Sequence, residues 1–127
     1  MPNRSLLIAA AFGIAVATAT PAAAADVEAG EKVFKKCKAC HTIEAGGKNK
    51  IGPNLAGIFG KEAGMVDGFK YSKALREAGI TWTEESVTEW LANPRGMVKG
   101  NKMAFPGLKK DEDIANVIAY MQAAGGS

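Results

Sequence analysis

The strongest constraint on this chain is a five-residue segment, Cys37-Lys38-Ala39-Cys40-His41, which contains both cysteines and the single histidine of the 127 residues. An even number of cysteines in an exported protein usually indicates a disulfide. Two cysteines separated by two residues are also found in thioredoxin-like redox proteins, where the motif follows a strand and begins a helix. No strand pattern precedes this segment, so the histidine directly after the second cysteine favours a different chemistry.

The same spacing is the attachment motif of a c-type haem. Two thiols three positions apart, near the end of a helical turn, can each add to one vinyl group on the same porphyrin edge. The thioether bonds then hold the next residue beneath the iron, where an imidazole nitrogen can bind the metal. The segment therefore predicts one covalently bound haem c, attached at Cys37 and Cys40, with His41 as the proximal iron ligand.

The first 25 residues are predicted to be a secretory signal peptide. Arg4 gives a basic start, an almost uncharged stretch runs from Leu6 to about Thr20, and a run of alanines ends at Ala25. This order is typical of a cleaved signal, and the apolar stretch is shorter than the about 20 residues of a spanning helix, which is the alternative. Cleavage after Ala25 leaves residues 26–127 as one periplasmic domain without stable membrane insertion.

The charge of the chain is polarised rather than large, because 16 basic and 13 acidic side chains nearly balance. So small a net charge gives no indication of nucleic-acid binding, and none is expected. Lysines crowd around the cysteine motif, whereas acidic residues cluster at 84–85, at 89 and at 111–113.

The apolar spacing predicts an all-α fold with long loops. Helical spacing runs from about Val27 to Cys37, a short helix is expected over 71–78, and Thr83 is a good N-cap for a helix that stops before Pro94. Sustained period-two alternation is missing, so no significant sheet is expected.

The last helix has the clearest pattern. It begins with acidic residues at 111–113, ends at Gly125-Gly126, and places apolar residues at i, i+3, i+4 and i+7, namely Ile114, Val117, Ile118 and Met121. An extended loop is expected over 96–107. Long loops count against a compact domain unless they are functional, and a haem wrapped by them would supply the missing core.

The second axial ligand of the iron separates an electron carrier from a haem enzyme or gas sensor, because an open iron site admits small ligands. Thioether sulfur favours the reduced metal and raises the potential. The candidates are Met65, Met97, Met103 and Met121. Met121 belongs to the apolar stripe of the last helix, whereas Met103 is flanked by Ala-Phe-Pro, which could exclude water. Met103 is therefore favoured, with a loop methionine that fills a gap as the alternative.

With these motifs in one order, residues 26–124 resemble the class I cytochromes c, and most closely the bacterial cytochrome c2 type. The resemblance rests on Gly30, Phe34, Cys37-Lys38-Ala39-Cys40-His41, Gly52-Pro53-Asn54-Leu55, Gly57, Tyr71, Gly79-Ile80-Thr81-Trp82, Asn93-Pro94, Lys102-Met103-Ala104-Phe105 and Ile118-Ala119-Tyr120. It implies a cytochrome c fold of three main helices, with short helices and long loops around one haem.

The resemblance also implies roles for single residues. Met103 is the expected distal iron ligand, and Gly30 is expected to let the first helix approach Tyr120 closely. Pro53 would present its carbonyl to the far ring nitrogen of His41, which fixes the imidazole and raises its basicity.

Two aromatic residues, Tyr71 and Trp82, are expected to reach a buried haem propionate through their O–H and N–H groups, with ordinary core packing as the alternative. Lys61 replaces an arginine that neutralises a propionate in many relatives, and it lacks the bidentate fork of arginine. Trp90 replaces a tyrosine that hydrogen-bonds the methionine sulfur.

Two further departures lie in the loop before Met103. Asn101 stands where a threonine is commoner and Lys99 where a proline is commoner, which predicts a looser ligand loop.

The function implied by the resemblance is that of a soluble, monomeric one-electron carrier rather than an enzyme. Its expected donor is a membrane cytochrome bc complex, and its expected acceptor is a terminal oxidase or photosynthetic reaction centre. Other donors and acceptors, such as periplasmic dehydrogenases and reductases, are the alternatives. Acidic partners would dock on lysines around the haem edge, for which the candidates are Lys35, Lys36, Lys38, Lys48, Lys50, Lys99, Lys102 and Lys109.

Overall fold

The computed structural model describes residues 8–15 and 24–126 of the chain. The predicted signal peptide therefore lies largely outside the described residues. Across the two described ranges, we find no helix with the length and apolar character that a bilayer crossing requires.

Helix α1 spans Val27–Phe34, and the Asp26 carboxylate caps it by accepting hydrogen bonds from the backbone N–H groups of residues 28 and 29. The predicted helix continued to Cys37, but the chain tightens after Phe34. Backbone N–H groups then donate to carbonyls three residues back, as from Cys37 to Phe34 at 2.8 Å. The cysteine motif therefore lies on a series of turns directly after α1.

Two short helices lie in the middle of the chain. Helix α2 spans Lys73–Arg76 and is shorter than the predicted 71–78, because Ser72 has extended backbone geometry and caps the helix. Helix α4 spans Pro94–Met97, where an extended loop was expected from residue 96. A proline is well suited to the first position of a helix, and the Asn93 side chain caps α4 by accepting from the Gly96 N–H at 3.0 Å.

Helix α3 spans Glu84–Ala92, with the predicted N-cap at Thr83. The Thr83 hydroxyl accepts from the Ser86 N–H, and the Ser86 hydroxyl accepts from the Thr83 N–H, so that each residue satisfies a donor of the other.

Helix α5 spans Asp111–Gly125, and the predicted apolar stripe on it is buried. Its principal neighbour is α1, so that the first and last helices of the domain pack together. At their crossing Gly30 lies against the backbone of Asn116, and Phe34 packs on Tyr120 with ring centroids 5.2 Å apart. The buried Asn116 side chain also accepts a hydrogen bond from the Asp26 N–H at 2.8 Å. The expected close approach at Gly30 is confirmed.

Outside the five helices, the described residues form turns and loops. Within the described residues, a single isolated antiparallel bridge, between Glu62 and Thr81, interrupts these loops. The all-α prediction is therefore confirmed for the described residues, with α1, α3 and α5 as the main helices and α2 and α4 as the short ones.

Candidate functional site

A largely apolar cleft runs between the loops and the helices, and the predicted cofactor residues meet in it. Cys37, Cys40 and His41 reach the cleft from the turns after α1, while Met103 reaches it from the loop between α4 and α5. Residues more than sixty positions apart in sequence therefore line one space, and no single helix carries the site.

The imidazole of His41 is fixed by its neighbours. Its Nδ1 lies 2.7 Å from the Pro53 carbonyl oxygen, so the hydrogen bond expected from the resemblance is present. Gly52 packs against the ring so closely that a Cβ there would overlap it and lie 2.7 Å from Nδ1. The Gly52 N–H donates to the Cys40 carbonyl at 2.8 Å, which holds this loop on the motif. With Nδ1 engaged, Nε2 is the nitrogen left for a metal.

Burial lowers the pKa of His41, while the hydrogen bond to Pro53 opposes this effect and the charge of Lys50 supports it. The imidazole is therefore held neutral near neutral pH, which is the form that binds a metal.

The two thiols are free and half-buried rather than joined in a disulfide. Burial raises the pKa of the Cys37 thiol to about 11, Cys40 adds to the rise and Lys36 opposes it. A thiol–disulfide catalyst needs a thiol of low pKa. The raised pKa of Cys37 therefore argues against the thiol redox alternative.

The four candidate methionines have different surroundings. Met103 is half-buried and lines the cleft, and Met121 lines its floor from the core of α5. Met97, at the end of α4, packs on the core without lining the cleft, and Met65 is 64% exposed. Among the loop methionines, Met103 alone contributes to the cleft.

Four predicted aromatic and basic residues also line the cleft, namely Lys61, Tyr71, Trp82 and Trp90. The Tyr71 hydroxyl accepts a hydrogen bond from the Val66 N–H at 3.1 Å, which leaves its own proton free to be donated. Burial raises the pKa of Tyr71, so that this proton is retained.

The indole rings of Trp82 and Trp90 meet edge to face, with centroids 5.5 Å apart. Both indoles line the cleft, and neither N–H donates a hydrogen bond to another described residue. Lys61 is exposed at the cleft, and its backbone carbonyl accepts a hydrogen bond from the Trp82 N–H at 2.8 Å.

All eight predicted docking lysines are exposed. Lys36 and Lys102 border the cleft, and the Lys50 ammonium group donates to the Lys38 carbonyl at 2.7 Å. Among the described residues the sole ion pair joins Lys73 to Glu77, so none of the eight is neutralised by a carboxylate there.

Most of the cleft wall was not predicted from the sequence. Its additional apolar residues include Ile51, Leu55, Ile58, Phe69, Leu75 and Leu91. Several of them lie in the glycine-rich loops, which have no periodic apolar pattern. The apolar residues of these loops were the only signal in the sequence that the loops would be buried against something.

The donor set of the cleft matches the chemistry of the predicted cofactor. No group of three or more His, Cys, Asp or Glu side chains in the described residues could hold a bare metal ion. The cleft instead fits an iron whose other four positions are filled by a porphyrin. It offers one neutral imidazole and one thioether as iron ligands, two free thiols for covalent attachment and an apolar wall for the ring.

Comparison with known proteins agrees with this fit. The family model for cytochrome c matches residues 27–125. Cytochrome c2 of Blastochloris viridis is 46% identical over 113 residues, which cover 87% of this chain and 89% of that protein. Cytochrome c of Chlamydomonas reinhardtii is 50% identical over 110 residues, covering 86% of this chain and 98% of that protein.

The fold has a solved counterpart in cytochrome cH from Methylobacterium extorquens. The two structures superpose with a TM-score of 0.73 at 43% identity, over 77% of this chain and 98% of the other. The chain therefore belongs to the class I cytochrome c family, binds haem c covalently and functions in electron transport.

Proposed function

We propose that this protein is a soluble, monomeric, periplasmic one-electron carrier. In this proposal Cys37 and Cys40 hold the haem, while His41 and Met103 bind its iron. The observation that supports it best is that the fixed imidazole and one loop methionine line the same apolar cleft as both thiols.

The haem supplies a reversible change between ferrous and ferric iron, and the protein sets its conditions. Pro53 orients the imidazole and increases its basicity through a hydrogen bond of 2.7 Å. The thioether of Met103 favours the reduced iron. The apolar wall would exclude water, and Tyr71, Trp82 and Trp90, which line the same cleft, would donate hydrogen bonds to polar groups of the cofactor.

A filled iron coordination sphere would make the protein a carrier rather than a catalyst or gas sensor. We expect the oxidised protein to show the weak absorption band of methionine sulfur bound to ferric haem, and the reduced protein to resist carbon monoxide. Absorption spectra of the purified protein, recorded with and without carbon monoxide, measure both properties. Rapid carbon monoxide binding without the sulfur band would support the enzyme or sensor alternative.

Export is part of the proposal. The protein would lose residues 1–25, since the alanines that end at Ala25 suit signal peptidase. The intact mass of the protein recovered from the periplasm should then correspond to a chain that begins at Asp26 and carries one covalent haem.

The proposed partners are a membrane cytochrome bc complex as donor and a terminal oxidase or photosynthetic reaction centre as acceptor. Four lysines without carboxylate partners among the described residues line the cleft, namely Lys36, Lys61, Lys70 and Lys102. Such a surface attracts acidic proteins electrostatically, and dissolved salt screens this attraction.

Rates of electron transfer with a purified bc complex should fall about ten-fold or more between low and high ionic strength. Lys36→Glu should slow the reaction at low salt and have little effect at high salt. Lys32→Glu changes the net charge equally, but Lys32 does not line the cleft, so its effect should be smaller. Docking at the cleft mouth would be contradicted if the rates did not change with ionic strength, or if the two variants had equal effects.

A further inference from the structure

The loop that carries Met103 has few hydrogen bonds of its own. We call residues 101–108 the ligand segment; they contain no helix or strand. At its far end the Leu108 N–H donates to the Leu91 carbonyl at 2.7 Å, and Gly107 lies so close to Ala92 that a Cβ would overlap the carbonyl oxygen. At the end next to α4, the Asn101 backbone N–H donates to the Val98 carbonyl at a longer distance of 3.3 Å, and a further anchor reaches Met103.

That anchor is the side-chain amide of Asn101, which uses both of its polar atoms. Its Nδ2 donates to the carbonyl of Pro94, the first residue of α4, at 3.0 Å and to the carbonyl of Val98, the residue directly after α4, at 2.9 Å. Its Oδ1 accepts from the N–H of Met103 at 2.9 Å. One planar group thus joins a helix end to the backbone of the proposed ligand.

The position of this hydrogen bond is significant. Between Asn101 and Leu108, the Met103 N–H is the one backbone group that forms a hydrogen bond with another described residue. Gly100, which precedes Asn101, has a φ of +87°, a conformation that glycine adopts readily because it has no Cβ. Without the amide, Met103 would depend on its side-chain contacts alone.

We propose that Asn101 is a positioning residue that holds Met103 in register with the iron and limits how readily the sulfur is released. This inference rests on the proposed ligation by Met103. It also reverses an expectation from the sequence, since replacing threonine with asparagine predicted a looser loop. A threonine hydroxyl has one donor hydrogen, whereas an amide has two donors and a separate acceptor.

Competition with imidazole in solution tests the role, because imidazole binds ferric haem only where the sulfur has left. Asn101→Leu keeps the volume of the side chain and removes all three hydrogen bonds. We expect it to bind imidazole about ten to one hundred times more tightly than the unmutated protein, as the loss of two or three hydrogen bonds implies. Without imidazole the sulfur band should remain.

Two further variants make the result specific. Asn101→Thr restores one donor and one acceptor, so it should lie between the unmutated protein and Asn101→Leu, and it serves if the leucine variant fails to fold. Asn116→Leu removes a buried asparagine side chain on α5 that accepts from Asp26, away from the ligand segment. This control should bind imidazole as the unmutated protein does.

Unchanged imidazole affinity in both Asn101 variants would overturn the inference. Equal increases in Asn101→Leu and Asn116→Leu would also overturn it, since they would indicate general loosening of the fold. A different result would show that Met103 does not bind the iron: the unmutated protein would lack the sulfur band. The positioning role of Asn101 would then be wrong as well.

Discussion

Met103→Ala is expected to abolish the sulfur-to-iron absorption band of the oxidised protein and to lower its reduction potential strongly. The half-buried Met103 is the loop methionine that lines the cleft with His41. Its thioether would favour ferrous iron, and axial ligands set haem potentials over a range of about 0.8 V. A fall on the order of a few hundred millivolts is therefore expected, measured by potentiometric titration of the Soret band.

The matched control is Met97→Ala. Met97 lies nearby on α4 and packs on the core, but it does not line the cleft. Its removal should lower stability while the band and the potential stay close to those of the unmutated protein. In addition, reduced Met103→Ala should bind carbon monoxide readily. Loss of the band in Met97→Ala alone would reassign the ligand.

Gly30→Ala is expected to have the largest effect on stability. A Cβ at this position would overlap the Asn116 carbonyl oxygen and lie 2.5 Å from the carbonyl carbon and 2.8 Å from Tyr120 Cβ. The first two atoms belong to the backbone of α5, so the helices must separate. Separation would loosen the fully buried Phe34. We expect a loss of about 3 kcal/mol or more, at or beyond the usual cost of overpacking.

Guanidinium unfolding of the haem-loaded protein, followed by circular dichroism, measures this loss. Gly46→Ala is a suitable control, because Gly46 has a φ of +75° and nothing within 4 Å of the added Cβ. It should cost only the strain of the left-handed conformation, about 1–2 kcal/mol. If the two variants were equally stable, the α1–α5 contact would not be as close as described.

Patterns local in sequence predicted the longer helices. The apolar stripe and acidic start of α5, and the Thr83 cap of α3, were recognised because each depends on neighbours within one helical turn. The short helix α4 was missed because Pro94 was interpreted only as the end of the preceding helix. The same residue ends one helix and begins the next.

The attachment motif predicted the centre of the site, because the chemistry of two thiols and an imidazole constrains their spacing. Family resemblance selected Pro53, whose carbonyl lies at Nδ1 of His41. The cleft wall could not be predicted in this way, since residues such as Leu55 and Phe69 are brought together by loops that follow the shape of a cofactor. The hydrogen bonds of Asn101 required the geometry of α4, which the sequence pattern had not revealed.

The packing of α1 on α5 joins the earliest and latest parts of the domain. A chain that emerges from its N-terminus first exposes the turns with Cys37 and Cys40 well before α5 exists to cover α1. The thiols therefore pass through an interval in which no completed fold encloses them. The α1–α5 contact therefore presents no barrier to covalent attachment at Cys37 and Cys40 until the whole chain is present.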